Sequence, residues 1–429
     1  MKRIVATVAA VLAIGALRAH AGGFALGEQD AASTGRGGTG TAALEGAASV
    51  HYNPAHLSRV FSITGALGGT AIAPFASAKA PGGGQAQSTL FGLKTPPHVY
   101  AAYGNGQWGA GIGVNTPFGG GVRWPDDFRG RYEVIEQNLQ VFGIYAGAAY
   151  QITPHLSVGL SGILYRGALT LEKRVDFVDS DGTALIGGAG TAFSAQAGLS
   201  YAPAEAARLG LTARLPATVP IDGRAHFSNV PPSFDPLLQD QDIHTSVALP
   251  ARIALGSAFY FDSLRLFADV DYTLWSAFDR LKVDFAKSDA LNVDSPQNWT
   301  NAFGVHLGVE KDFTDVATIR GGAFFEQKAA PADTLSPSSP DSDRIGLSVG
   351  AGRDFGIVRG DVAYMYVMFS PRASEGSTAF PAEYNASAHL LSLTFRFSTP
   401  PGVASKSADT SDNRELVTPS QAAPHPTGR

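Results

Sequence analysis

The sequence contains no cysteine, which removes disulfides and thiolate metal sites from consideration. Beyond its first residues it has no run of about 18 consecutive apolar residues, so it offers no membrane-spanning helix. Charge is sparse: 16% of the 429 residues are Asp, Glu, Lys or Arg, and the net charge is −5. That balance supplies no basic face for nucleic acid. The one Gly-x-Ser-x-Gly spacing, Gly346-Leu347-Ser348-Val349-Gly350, falls inside an alternating strand segment (Arg344–Asp354) and not at a strand-to-helix turn, and there is no zinc-ligand spacing, so neither an enzyme, nor a metal, nor a cofactor is expected. What the chain does have is 50 glycines and 25 phenylalanines, a composition suited to closely packed strands with aromatic rims.

The first residues read as an export signal. Lys2 and Arg3 precede an apolar stretch from Ile4 to Leu17, and Ala19-His20-Ala21 is a small-x-small cleavage site. Residues 1–21 are therefore expected to be removed. At the other end, 398–429 is rich in Pro, Ser, Thr and Ala without periodicity, and reads as a disordered periplasmic tail.

Between 61 and 397 the chain alternates with period two in about 14 segments, from Ser62–Ala73 to His389–Phe397. In one of them Leu264, Leu266, Ala268, Val270, Tyr272 and Leu274 fall opposite Arg265, Asp269, Asp271 and Thr273. Alternation alone also suits a soluble sandwich. The connections decide. Short ones (104–106, 153–154, 203–207, 262–263, 312–316, 356–357) alternate with long ones (79–87, 117–138, 176–188, 216–247, 277–300, 327–343, 368–388). This is the pattern of a 14-stranded antiparallel transmembrane β-barrel, all-β, with short periplasmic turns and long outer loops. It places the protein in the outer membrane of a Gram-negative bacterium, in contact with lipid and as a monomer. Tyr150, Tyr201, Phe259, Phe261, Phe355 and Phe397 lie near the short turns, where a periplasmic aromatic girdle would sit.

Residues 22–60 differ from both flanks. They are rich in Gly and Ala, irregular, and end in His51-Tyr52-Asn53-Pro54-Ala55-His56-Leu57. Composition leaves two readings open: a flexible leader, or a plug folded into the lumen. Inward-phase positions of the barrel include Phe267, Trp275, Ala363 and Met365 beside Arg265, Asp269, Asp271, His306, Arg359 and Asp361. A partly apolar, blocked lumen suits a poorly soluble ligand better than sugars or ions. Asp269 and Asp271 are expected to pair with Arg265 or Arg359, and His51 and His56 to be structural or solvated.

Several short stretches then carry a resemblance. They are Gly22-Gly23-Phe24-Ala25-Leu26, Gly35-Arg36-Gly37, Asn53-Pro54-Ala55, Thr116-Pro117-Phe118-Gly119, Trp124 to Tyr132, Pro250 to Gly256 and Asp271 to Ser276. In this order, over nearly all of 22–397, the chain resembles the FadL family of outer-membrane transporters for long-chain fatty acids, whose relatives carry aromatic hydrocarbons. The resemblance implies ligand capture among the outer loops, transfer to a lumen site and movement of an N-terminal plug. Ligand then leaves sideways beside a kinked third strand. It points to Phe24, Asn53, Pro54 and Ala55 as plug or gate residues and to Gly109, Gly111 and Gly113 as the weakened exit strand. Phe267, Trp275 and Met365 become lumen-lining candidates. For a ligand carboxylate it points to Arg166, with Lys173 and Arg174 behind it. The phase of Leu156, Val158, Leu160 and Leu164, however, turns Arg166 outward unless Gly162 or Gly167 marks a bulge. A second basic residue, implied near Asn298-Trp299-Thr300-Asn301, is missing, which leaves room for an uncharged hydrocarbon. Two other classes stay open on the residues: a barrel-anchored receptor or adhesin, and a barrel-embedded lipid hydrolase.

Overall fold

The computed structural model describes residues 23–43, 46–82, 84–314, 316–375 and 380–399. The expected signal segment and nearly all of the expected tail lie outside them. Twenty strand segments join in one sheet. They compose a closed 14-strand antiparallel barrel. The first strand (Ile63–Lys79) pairs with the last (Glu383–Ser398) from Thr64↔Ser398 to Lys79↔Glu383, which closes the sheet. Closure pairs the sheet's first and last edges with each other, so neither is left in hydrocarbon, where backbone N–H and C=O groups would find no partner.

Side chains alternate as their period requires. Leu160 and Phe193 are 68% and 78% exposed on the outer face, with Leu266, Val270 and Tyr272 in the same outward phase. Phe267, Asp269 and Asp271 point inward and are buried. Tyr150, Tyr201, Phe261, Phe355 and Phe397 are exposed near the short turns, and Tyr103 and Trp108 join them. Phe259 is half-buried in the same row.

Three of the expected long loops contain strand. The sixth barrel strand (Asp181–Ala204) pairs with the fifth (Leu156–Asp176) up to Asp176↔Asp181. Residues 216–247 hold most of a hairpin between Ala217–Ser228 and Gln241–Leu249, and 277–300 hold the short pair Arg280–Phe285 and Val293–Pro296. Their outer faces carry Asp222, Arg224 and His226 rather than aliphatics, because here the strands have risen past the membrane into water. Pro220 and Gly223 further obscured the alternation.

The N-terminal segment lies inside the barrel. Its backbone is hydrogen-bonded by inward-facing side chains around the whole circumference. Asp269 accepts from the N–H groups of Gly40 and Thr41 (2.8 Å each), and Ser348 accepts from Gly37 N–H (3.0 Å). Ser161 donates to Val50 C=O (3.0 Å), Gln196 to His51 C=O (2.8 Å), and Thr394 accepts from Ala31 N–H (2.9 Å). Where this backbone comes closest to the backbone of the wall, a wall glycine makes room. A Cβ on Gly109 would sit 2.0 Å from Leu57 O, and one on Gly210 would sit 2.0 Å from Thr41 O.

Gly109→Val should therefore prevent the segment from seating. The heat-modifiable band of the folded barrel on electrophoresis should weaken, while Gly187→Ala, with open space around it, should behave as parent. A normal folded band for Gly109→Val would contradict this packing.

Candidate functional site

The first six described residues form the site's inner surface. Ala25 bridges to Phe118, Leu26 N–H donates to Pro117 O (3.0 Å), and Gly119 N–H donates to Phe24 O (2.9 Å). Residues 24–26 thus add themselves to the third barrel strand (Trp108–Arg123). Phe24 packs edge-on against Trp275 (4.7 Å) and Phe278 (5.7 Å), and beside Trp299 (5.7 Å). Gly23 is positive in φ (+74°), and a Cβ there would meet Trp275 at 2.6 Å, so this aromatic cluster admits only glycine.

Beside Phe24 and Leu26 lies a cavity of about 490 Å³. Ile72, Phe324, Val367 and Leu390 line its inner side, and Leu93, Pro96, Gly119, Gly120 and Leu139 its outer side. This size and apolar lining fit a small-molecule pocket. It runs toward a seam in the wall. Pairing of the third strand with the second (Pro97–Gly104) ends at Val99↔Val114. Beyond that, Leu93–Pro96 turns its bonds back to the first strand through Ile72↔Lys94 and Thr70 N–H to Pro96 O (3.1 Å). Among the described residues, backbone bonding across the seam resumes only at Leu90 N–H to Arg123 O (2.7 Å). The third strand also shifts register against the fourth (Glu136–Thr153) between Asn115 and Phe118, where Pro117 has no N–H to give. Among the described residues one side chain crosses the seam between Val99 and Leu90: Lys94 Nζ donates to Asn138 Oδ1 at 3.0 Å.

The site's polar end is Arg344. Its Nε donates to Glu326 at 2.6 Å, and its guanidinium lies 5.9 Å from the Phe369 ring centre. Asp341 accepts from Ala329 N–H (2.6 Å), Ala330 N–H (2.8 Å) and Gly23 N–H (3.2 Å), which ties the first described residue to an outer loop. Burial raises its carboxyl above the usual range, against those three donors. Above, Trp124 and Phe128 stack at 4.2 Å, and Trp124 Nε1 donates to Pro337 O (3.1 Å), so the Trp124–Tyr132 stretch caps the outer end. A larger cavity, about 800 Å³, lies at the short-turn mouth and is lined by Arg36, Arg265, Arg320, Glu310 and Asp312. Those charges are already paired with one another, which leaves little there for an apolar ligand.

Several expected site residues stand elsewhere. Arg166 faces outward and exposed, since the fifth strand keeps unbroken register through Gly162 and Gly167 and no bulge rotates it. Lys173 lies on the hairpin beyond the wall, and Arg174 is bound to Asp126 (3.1 Å) and Thr183; neither lines the cavity. Gly109, Gly111 and Gly113 face inward in a regularly paired stretch, and their smallness admits the segment inside. The irregularity lies further on, at Asn115–Phe118. Asn53, Pro54 and Ala55 are fully buried, with Asn53 Nδ2 donating to Thr41 O (2.8 Å) and Leu199 O (3.2 Å), so they fasten the segment to the wall. Phe24 alone of those four lines the cavity. Phe267 packs on Ala42, Ala43 and Arg36. Trp275 borders the aromatic cluster, and Met365 lies behind Phe324 and Leu390. Asp271 pairs with Arg252 and His306 (3.1 Å each), while Arg265 takes Glu310 and Asp312 instead. Arg344 and Lys94 escaped the sequence reading. Arg344 begins a strand like any other, but Lys94 carried a signal: a lone cation in the apolar stretch 90–97.

A closed barrel with an apolar outer band, an occupied lumen and an interior apolar cavity defines an outer-membrane transport protein. The family model described as outer membrane protein transport protein (OMPP1/FadL/TodX) matches residues 12–398, and the chain belongs to that family. It is a passive outer-membrane transport protein and not an enzyme. Among curated relatives, a 47 kDa outer membrane protein of Pasteurella multocida is 25% identical over 91% of this chain and 97% of its own length. The long-chain fatty acid transport protein of Escherichia coli K12 is 24% identical over 88% and 95%. A solved Pseudomonas aeruginosa FadL homologue shares the fold with a TM-score of 0.79, 16% identity and coverage of 88% and 100%; the P. putida toluene transporter TodX gives 0.71, 19%, 86% and 98%.

Removing Arg344 would leave the largely buried Glu326 with His306 at 3.8 Å as its remaining cationic neighbour, so Arg344→Ala should destabilise the barrel by about 3 kcal/mol. The double variant Arg344→Met/Glu326→Gln should recover most of that loss. Urea unfolding followed by tryptophan fluorescence would measure both, and equal losses in the two would refute the pairing argument.

Proposed function

We propose that the protein takes up long-chain fatty acids, or amphiphiles of that shape, across the outer membrane by passive diffusion. The observation that carries this reading is the 490 Å³ apolar cavity that reaches from Phe24 in the lumen to the unpaired seam in the wall. That volume is about three times the roughly 150 Å³ apolar cavity that holds one benzene ring. Ligand enters from the outer loops and occupies the cavity. It displaces residues 23–28 as the movable part of the plug and leaves sideways between the second and third strands. Sideways release keeps an apolar chain out of water, at about 0.8 kcal/mol for each CH₂. The fatty acid transport proteins among its relatives support this choice.

A second reading, uptake of uncharged aromatic hydrocarbons by the same route, has its own support. The Arg344 charge is already taken by Glu326, and four aromatic rings surround Phe24. Solved toluene transporters share the fold.

A bulky residue at the seam should close the route under either reading. Gly120→Trp, whose Cβ has room beside Phe24 (3.7 Å), should cut labelled oleate and toluene uptake about tenfold while the barrel stays folded. Gly187→Trp should transport like parent. Parental uptake of both compounds through Gly120→Trp would rule out sideways exit.

A further inference from the structure

We infer that Lys94 is the specificity-determining residue of the lateral seam, where it receives the carboxylate of a departing long-chain acid. The inference rests on the lateral route proposed above and adds to it which ligands that route favours. Three observations carry it.

First, Lys94 stands in the gap itself. Its backbone is paired to Ile72 on the first strand, and its ammonium reaches across to Asn138 on the fourth, over the stretch where the second and third strands share no backbone bond. Lys94 and Asn138 both line the cavity, so anything leaving through the seam passes this contact.

Second, its partner is neutral. Among the described residues the Lys94 ammonium donates to an amide oxygen, whereas Arg344 at the inner end is ion-paired to Glu326. An incoming carboxylate displaces an amide from an ammonium readily, because a hydrogen bond between two charged groups is roughly twice as strong as one to a neutral acceptor. Displacing Glu326 from Arg344 exchanges one carboxylate for another and gains nothing of that kind.

Third, the depth is right for an amphiphile. Register places Lys94 beside Ile72 and, across it, Leu390. On that last strand the outward residues toward the periplasm are Leu391, Leu393 and Phe395, all exposed to lipid, and the next outward residue on the other side is His389. On the fourth strand Ile144 gives way through Phe142 to Gln140 and Asn138. The Lys94 backbone therefore lies where the aliphatic outward row gives way to the rings of Phe75, Phe91 and His389, close to the outer rim of the apolar band, to which lysines extend and at which carboxylates are solvated. A fatty acid bound there has its head at the interface and its chain in the seam, facing hydrocarbon. An uncharged hydrocarbon gains nothing from the same residue.

The test compares oleate with methyl oleate, which keeps the chain and removes the charge. Initial uptake of each labelled compound is measured in cells without other long-chain uptake, expressing full-length parent, Lys94→Met or Lys94→Arg, with folding verified by heat-modifiable mobility. Lys94→Met should lower oleate uptake about tenfold and leave methyl oleate within twofold of parent, and Lys94→Arg should restore oleate. Equal loss of both compounds would mean that Lys94 only supports the wall and would overturn the inference. So would unchanged oleate uptake, which would leave the lateral route itself standing. A parent that carries methyl oleate but not oleate, or neither compound, would overturn the fatty-acid reading and this inference together.

Discussion

Charges buried between the N-terminal segment and the barrel wall hold the rest of the structure in place. Arg396 on the last strand contacts both Asp30 of the segment and Asp361 of the wall. Asp361 also takes Arg320 (2.8 Å) and Arg359 (3.2 Å), and Arg320 continues to Glu310 (2.5 Å), which binds Arg36 of the segment at 3.1 Å. Buried charges are costly unless every partner is present, and breaking one such pair typically costs about 3–5 kcal/mol. The network therefore admits one orientation of the segment. Asp30 serves it twice, since the same carboxylate caps the short helix Ala31–Gly35 through Ala32 N–H (2.8 Å).

From that fixed point the segment divides physically. Residues 30–43 and 46–58 are hydrogen-bonded to the wall on several sides and packed closely against wall glycines. Residues 23–28 are held by aromatic packing around Phe24 and by a few bonds to the irregular part of the third strand. Local opening takes least free energy where buried contacts and backbone bonds are fewest. The proposed route asks only this short stretch to move, and the charge network keeps the remainder still.

The seam follows from the same economy of bonds. A strand that carries Pro117 and a register shift cannot keep a full ladder, and Leu93–Pro96 answers by pairing with the first strand alone. In water such an edge would be solvated. In a membrane it needs cover, and here residues 24–26 cover it from inside while the Lys94–Asn138 hydrogen bond bridges it. Arg36 and Arg344 show how the lumen otherwise treats cations, each neutralised by a glutamate.

Strand number, phase and the alternation of short and long connections were legible in the chain, because period two and turn residues are local properties. The outward phase of Arg166 was legible in the same way: Leu156, Val158, Leu160 and Leu164 indicated it, and the structure agrees. The extended outer hairpins were not, since their faces carry charges once lipid no longer dictates them. The site was mostly beyond reach of the sequence. Arg344 and Glu326 meet only because neighbouring strands are in register, and Lys94 meets Asn138 only because the second and third strands part. Asn53-Pro54-Ala55 and Gly109, Gly111 and Gly113 were visible as unusual residues, but their roles as fastening and clearance depend on which backbone stands opposite. Local chemistry determined the barrel; distances between remote residues decided where it is filled, where it is open and which cation stands at the opening.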